Sequence, residues 1–295
     1  MSDHQCQVSL KMVDVWPILA VGVIISSLIY PLVRISSASL SISIGLFVIF
    51  LFEMIDSRLI NELAFSPLDL RDIGSSYTIF TSMFLHGGFG HIVFNVFILV
   101  LIGNLLEERI GSPKFLAIYI ISGIGGGLVY ALVNLGDNVG VIGASGAISG
   151  ILGAIAILYP NQPFMLLFLP FRNIPAWVMV LIFLAMQMFI ALSQTNIAWE
   201  AHIGGLATGI LIAPLLMRIS IEERVDRGEK IDVMVFAKTP KEREIAAQIK
   251  PESIRDVRNA WIDQLAETAK CPICGQKVRN YRGRIKCRNG HKFNI

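Results

Sequence analysis

The stretch AHIGGLATGILIAPLLM, residues 201–217, decides the fold class of this chain of 295 residues. It contains no Asp, Glu, Lys or Arg and is bounded by Glu200 and Arg218. A helix that crosses a bilayer needs about 20 largely apolar residues. The stretch therefore predicts a membrane span that carries one ionisable side chain, His202.

Six other stretches also lack Asp, Glu, Lys and Arg. They are residues 15–33, 35–52, 73–106, 115–136, 138–171 and 173–199. Seven such stretches predict about seven spans. The chain is 54% hydrophobic and only 16% charged, whereas an ordinary soluble domain is about a quarter charged. The composition excludes a soluble one- or two-domain protein and predicts an all-α polytopic membrane protein.

Two of these stretches are longer than a span and must include loops. The sequence HGGFG, residues 86–90, interrupts the third and predicts a helix from about His91 to Leu106. A non-helical connection between the fifth and sixth spans is predicted by Pro160, Pro163, Pro170 and Pro175. The first stretch could be a cleaved signal peptide, but it lacks a small-residue cleavage pattern. We therefore expect it to be an extra N-terminal span before a six-helix core.

The charges are unevenly distributed along the chain. Residues 1–218 carry 8 Lys and Arg against 11 Asp and Glu, whereas residues 219–295 carry 17 against 11. This charge distribution predicts a membrane domain followed by a basic, water-soluble tail. Positive loop charges favour the cytoplasmic side, and they fall in alternate loops at Arg34, Arg109, Lys114, Arg172 and Arg218. Although Arg58 and Arg71 oppose this assignment, we expect a multi-pass protein of the cell membrane with a cytoplasmic tail.

Polar side chains inside spans are costly and are therefore candidates for function. His91 and Asn95 are four residues apart, so they share one face of a helix. This places two hydrogen-bond donors together, with His86 in the preceding loop. The alternative for any one of these histidines is a structural role, in which the ring binds a backbone carbonyl.

Small residues surround a serine at the start of the fifth span, in the sequence Gly143-Ala144-Ser145-Gly146. Gly146 and Gly150 form a small-xxx-small pattern that is widespread in membrane helices. Taken alone, the pattern indicates only close packing between helices.

The last span contains matching glycines at Gly205 and Gly209. Positions without side chains would let two helices approach until His202 reaches Ser145, which predicts a nucleophile with an adjacent base. The nearest acidic residue, Glu200, lies on a different helical face from His202. We therefore expect a serine–histidine dyad without an acidic third member.

These motifs resemble those of the rhomboid family of intramembrane serine proteases. The resemblance covers about residues 36–218 and rests on four motifs in the expected order. They are His86-x4-His91-x3-Asn95, Glu107-Glu108-Arg109-Ile110-Gly111, Gly143-Ala144-Ser145-Gly146, and Ala201-His202 with Gly205 and Gly209. The resemblance implies a six-helix core that hydrolyses peptide bonds without a cofactor.

The resemblance also implies a role for each polar group. Ser145 is the implied nucleophile and His202 its general base. His91 and Asn95, with the backbone N–H of Ser145, are implied to stabilise the oxyanion. The implied substrates are transmembrane proteins, whose spans reach the site from the lipid bilayer. Ser149 departs from the family pattern, since many rhomboids carry an aromatic residue there.

Two alternatives stay open. One is a catalytically silent rhomboid-like protein that binds membrane helices, although both dyad residues are present here. The other is a transporter or channel whose intramembrane histidines relay protons. A transporter of this kind predicts acidic residues in the spans, where only Glu53 occurs, near one end.

The C-terminal tail contains a metal-binding pattern. Cys271 and Cys274 are followed by Cys287 and His291, which is the spacing of a tetrahedral structural zinc site. A short hairpin that turns at residues 280–283 would complete a zinc ribbon-like module. The alternative is a reduced, metal-free tail, since a disulfide is disfavoured in the cytoplasm.

The predicted organisation has four parts. They are an N-terminal segment (1–35), the rhomboid-like core (36–218), a charged, partly helical linker (219–270) and the zinc ribbon-like module (271–295). The module is strongly basic, which favours contact with anionic lipid or with nucleic acid. Topogenic positive charge alone is a third explanation.

Overall fold

A computed structural model describes residues 15–33, 37–164, 173–193, 197–219, 229–252, 255–280, 283–289 and 291–295. Outside this description lie Arg34, Pro170 and Arg172, residues 1–14 of the predicted N-terminal segment, and residues 281–282 of the predicted turn. The chain divides into two compact units, Met1–Ser220 and Ile221–Ile295.

The first unit is helical. Its helices are α1 (Val15–Val33), α2 (Ala38–Ile55), α3 (Arg58–Leu63), α4 (Thr78–Thr81), α5 (Phe89–Ile98), α6 (Asn104–Ile110), α7 (Ser112–Val133), α8 (Ser145–Leu158), α9 (Ala176–Leu192) and α10 (Trp199–Arg218). A π-helical turn, Leu99–Gly103, joins α5 and α6. Two short 3₁₀ turns, Pro67–Arg71 and Ser82–Phe84, lie between α3 and α5.

Within the described ranges, five helices are long and apolar enough to cross a membrane: α1, α2, the continuous α5–α6 helix, α7 and α10. Two shorter apolar helices, α8 and α9, have 14 and 17 residues. These seven follow the order of the seven uncharged stretches, and the prediction of an all-α polytopic membrane protein is confirmed. The α5 helix begins at Phe89, two residues before the predicted start, because the extended backbone of Gly88 precedes it.

The α8 helix lies at the centre of the first unit. Every residue from Gly146 to Ile155 is buried, as expected of a helix that neighbours surround on all sides. The α7 and α10 helices pack against α8. The connection between α8 and α9 contains two short antiparallel strands, β1 (Pro163–Phe164) and β2 (Ile174–Pro175), in agreement with its prolines.

The first apolar stretch forms a helix that packs on α2. Ser41 donates its hydroxyl to the carbonyl of Ser27 at 2.9 Å, and the rings of Trp16 and Phe52 lie 5.4 Å apart. A Cβ at Gly45 would lie 2.8 Å from Cβ of Ser27. The absence of a side chain at Gly45 therefore allows this close approach.

The second unit combines two helices with a small sheet. Its elements are β3 (Glu229–Lys230), a 3₁₀ turn (Val233–Phe236), α11 (Pro240–Ile249), α12 (Arg255–Thr268), β4 (Val278–Asn280), β5 (Ile285–Cys287) and β6 (Lys292–Asn294). The strand order is β3-β6-β5-β4, with β3 parallel to β6 and the other pairs antiparallel.

The segment expected as a linker supplies much of the core of this unit. Phe236, Ile245 and Leu265 are buried in the same cluster as Ile285 and Phe293 of the strands. The apolar residues of α11 and α12 recur at helical spacing and give each helix one buried face. The described residues from 229 onward therefore form one compact unit around the Cys and His residues.

Candidate active site

Backbone contact between α8 and α10 brings the candidate residues together. A Cβ at Gly205 would lie 2.0 Å from the carbonyl oxygen of Gly146, and a Cβ at Gly209 would lie 2.0 Å from that of Gly150. No side chain fits at such distances. The glycine pattern therefore has a steric cause, and it sets the separation of the two helices.

The side chains of Ser145 and His202 meet across this contact. Ser145 Oγ lies 2.8 Å from His202 Nε2, and on the other side of the ring His202 Nδ1 lies 2.8 Å from Oε1 of Gln187. Because Oε1 only accepts hydrogen bonds, Nδ1 carries the hydrogen and Nε2 accepts from the serine hydroxyl. A hydroxyl in this arrangement can lose its proton to the imidazole as it attacks an electrophile.

Sequence reasoning missed Gln187. It lies on α9, where the only other buried residue is Ala176, and it is itself only 2% exposed. The signal was available, because an amide within an otherwise apolar span is costly unless it has a partner. The partner of His202 is an amide rather than a carboxylate, and it comes from α9 rather than α10. The α9 helix also places the ring of Phe183 6.4 Å from that of His202.

His91 approaches the same site from α5. A Cβ at Gly143 would lie 2.8 Å from Nε2 of His91 and 3.6 Å from Oγ of Ser145. Gly143 also has a φ of 126°, which side-chain-bearing residues rarely adopt. Both constraints make glycine necessary at this position.

Asn95 lies one turn along α5 and is buried. Its Nδ2 donates to the backbone carbonyl of His91 at 2.9 Å, and the second hydrogen of the amide remains for another acceptor. Ser145 is the first residue of α8. The first N–H groups of a helix have no partner within the helix and carry the positive end of its dipole, so they suit a developing negative charge.

His86 and Glu53 support this region from behind. His86 is 1% exposed, and its ring centroid lies 4.8 Å from that of His91 in an edge-on contact. Its backbone N–H donates to both carboxylate oxygens of Glu53, at 3.0 and 3.1 Å. Glu53, the one acidic residue in the described spans before this motif, thus accepts from backbone N–H. This contact is structural.

The Glu107 motif caps a helix. The buried Glu107 carboxylate accepts from the backbone N–H groups of Ala38 (2.6 Å) and Ser39 (2.9 Å) and from the hydroxyls of Ser37 (2.8 Å) and Ser112 (2.7 Å). Two of these donors are N–H groups at the start of α2, which lack partners within the helix.

Arg109 makes contacts beyond the end of α8. Its guanidinium lies 4.4 Å over the ring of Tyr159, and its Nη2 donates to Oε1 of Gln162. Glu107 and Arg109 therefore tie the end of α6 to two neighbouring segments.

In the second unit the four predicted metal ligands converge. The ligand atoms of Cys271, Cys274, Cys287 and His291 all lie within 4.8 Å of one another. Individual separations are 3.6 Å between the sulfurs of Cys274 and Cys287, and 3.7 and 3.3 Å from Nδ1 of His291 to those of Cys271 and Cys287. Burial opposes ionisation of Cys287, but hydrogen bonds from the backbone of His291, the side chain of Cys274, the backbone of Asn289 and the side chain of His291 together lower its pKa to about 7.

The fold and the site define a class: a polytopic helical membrane protein with a serine–histidine pair between two spans. The Rhomboid domain profile matches residues 74–219. The putative rhomboid protease YdcA of Bacillus subtilis is 33% identical over 147 residues, which cover 49% of this chain and 69% of that protein. The chain belongs to the rhomboid family.

Other relatives match stretches of similar length. Rhomboid protease GluP of Bacillus subtilis is 34% identical over 143 residues, 48% of this chain and 26% of that protein. RHOMBOID-like protein 6, mitochondrial, of Arabidopsis thaliana is 34% identical over 145 residues, 48% of this chain and 44% of that protein. The chain thus spans less than half of the length of these two relatives.

Proposed function

We propose that this protein is an intramembrane serine endopeptidase that cleaves transmembrane proteins in or near their spans. The observation that carries the proposal is the 2.8 Å contact between Ser145 Oγ and His202 Nε2, at the start of a buried helix. Membership of a family that includes proteases supports it.

The proposed reaction proceeds in two stages. Ser145 Oγ attacks the carbonyl carbon of the scissile bond while His202 Nε2 takes the hydroxyl proton. The imidazolium then gives this proton to the departing amine, which leaves an acyl-enzyme. In the second stage water attacks the ester as His202 removes one of its protons, and the proton returns to Ser145 when the carboxylate product leaves.

We assign charge stabilisation to three groups around Ser145. The oxyanion would accept hydrogen bonds from the backbone N–H of Ser145, from His91 and from Asn95. Such donors act in a site with little water, where they are preorganised for the charge that develops. Gln187 would hold the hydrogen of His202 on Nδ1, so that Nε2 faces the nucleophile as a base.

Two measurements test the proposal together. The purified protein is labelled with a serine-directed phosphonate and is assayed for cleavage of a test transmembrane substrate. Both signals are expected in the wild type and neither in Ser145→Ala or His202→Ala. Labelling and cleavage that persist in both variants would show that another group is the nucleophile. A folded wild type that gives neither signal would favour the silent helix-binding relative.

We further propose that Cys271, Cys274, Cys287 and His291 bind a structural zinc ion. A tetrahedral site with Zn–S bonds of about 2.3 Å separates two sulfurs by about 3.8 Å, close to the 3.6 Å between Cys274 and Cys287. The bound ion would join the loop after α12 to the β5–β6 region and has no step in proteolysis. The tail that carries it is proposed to lie in the cytoplasm.

A further inference from the structure

The zinc ribbon-like module has an extreme charge composition. Residues 271–295 include seven Lys and Arg and no Asp or Glu. This part of the chain takes no part in the proposed proteolysis, so its charge needs a separate explanation. The arrangement of the basic residues on the sheet supplies one.

Four of the basic residues share one face of the β4–β5 hairpin. Arg279 pairs directly with Lys286, and Val278 pairs with Cys287. Lys277 precedes β4 and Arg288 follows β5, at the same end of this pair of strands. Because side chains alternate between faces, these four cations lie on the face opposite buried Val278 and Cys287. We call Lys277, Arg279, Lys286 and Arg288 the basic face.

The basic face is accessible and forms a groove. Lys277, Arg279 and Arg288 are exposed, and Lys286 is half-buried. The four line an open groove of about 700 Å³ with Val278, Cys287 and Asn289. Four cations along one groove suit a ligand with several negative charges.

We propose that the basic face binds the phosphate headgroups of anionic phospholipids at a membrane surface. The module is covalently joined to a multi-pass membrane protein, so a bilayer is always available to it. Lys and Arg near an anionic membrane surface each contribute favourably to binding. Ile273, in the turn that carries two cysteines, is 60% exposed, and an exposed apolar side chain can enter the interfacial region of a bilayer.

Nucleic acid fits these observations less well. Proteins that bind single strands combine a basic groove with exposed aromatic side chains on which bases stack. Among the described residues of the module, the one Phe, Tyr or Trp is Phe293, and it is buried, while Tyr281 of the β4–β5 turn lies outside the description. A lipid headgroup needs no such stacking platform.

Chemical modification of arginine tests the proposal on the full chain. The protein is reconstituted in nanodiscs of phosphatidylcholine, alone or mixed with phosphatidylglycerol, and treated with phenylglyoxal. Modification of Arg279 and Arg288 is read by peptide mass spectrometry, with exposed Arg243 of α11 as internal control. We expect about fivefold or greater protection of the basic face by phosphatidylglycerol. About 1 M salt should abolish it, because the Debye length falls to about 3 Å.

A matched pair of variants locates the effect. Lys277→Gln with Lys286→Gln should remove most of the protection of Arg279 and Arg288, whereas Lys238→Gln with Lys241→Gln, which alters two exposed cations of the same unit, should not. Metal content of each variant shows that the module is folded. If a variant binds no metal, the protection of wild-type protein in the two kinds of nanodisc still tests the proposal.

Three results would overturn the proposal. Equal modification in both nanodiscs would exclude a lipid contact. Equal protection by soluble glycerol phosphate in phosphatidylcholine nanodiscs would identify a free phosphate ligand instead of a membrane surface. Stronger protection by single-stranded RNA at the same phosphate concentration would assign the face to nucleic acid.

Discussion

Both ring nitrogens of His202 are hydrogen-bonded. Nε2 contacts Ser145, and Nδ1 lies 2.8 Å from the buried amide of Gln187. A third residue that accepts from the base fixes its tautomer and its orientation, which is the role of the aspartate in serine protease triads. Gln187 is uncharged and comes from a different helix, α9. The hydrogen-bonded chain of Ser145, His202 and Gln187 therefore spans three helices, α8, α10 and α9.

Gln187→Leu should lower kcat on the order of 10- to 100-fold with a smaller effect on KM, because the base loses its orientation but the substrate contacts remain. Gln187→Glu keeps an acceptor at the same length and should retain most of the activity. Met188→Leu changes an exposed neighbour on the same helix and serves as control. A kcat for Gln187→Leu equal to that of Met188→Leu would remove Gln187 from the site.

Asn95→Ala should lower kcat by about 10²- to 10³-fold, as expected for one oxyanion donor among several. Ser145→Ala should leave no cleavage, because no other group replaces the nucleophile. Single-turnover cleavage of a transmembrane substrate measures both. Unchanged turnover in Asn95→Ala would show that its amide serves only the carbonyl of His91, with which it is bonded at 2.9 Å.

Sequence reasoning predicted the helical membrane fold and the convergence of the C-terminal ligands, because both follow from local patterns. Uncharged stretches indicate spans by length alone, and the spacing of Cys271, Cys274, Cys287 and His291 is a recurrent one. Gln187 could not be assigned in this way, since its partner is 15 residues away on another helix. Which residues of two helices meet depends on how each helix is rotated about its own axis. In a segment as apolar as α9, the periodicity of the sequence does not define that rotation.

Gly205→Ala should destabilise the first unit by about 1–3 kcal/mol, because an added methyl group would force backbone apart in a packed core. Its Cβ would lie 2.0 Å from the carbonyl of Gly146, next to Ser145, so proteolysis should also fall. Gly22→Ala, on the open side of α1 with no atom within 4 Å of the added Cβ, is the matched control. Thermal unfolding in detergent micelles compares the two, and equal midpoints would refute the steric argument.

Glu107→Ala should lower the free energy of unfolding by about 1–3 kcal/mol, because two buried N–H groups at the start of α2 would lose their acceptor. Glu108→Ala removes an exposed carboxylate from the adjacent position and should change stability by no more than about 0.5 kcal/mol. The same unfolding assay measures both variants. Comparable midpoints for the pair would mean that Ser37 or water replaces the carboxylate as the cap.

Cys271→Ser should abolish metal binding and loosen the second unit while the first unit keeps its proteolytic activity. Cys271 and Cys274 follow α12, whereas Cys287 and His291 lie at the end of β5 and just before β6, so loss of Cys271 weakens the connection between α12 and the strands. Metal analysis of the purified chain is expected to give one zinc ion per wild-type molecule and none in the variant. Cys6→Ser changes the one cysteine outside the cluster and should keep the ion. Wild-type protein purified without any bound zinc, even after incubation with the metal, would show that the four side chains converge for packing alone.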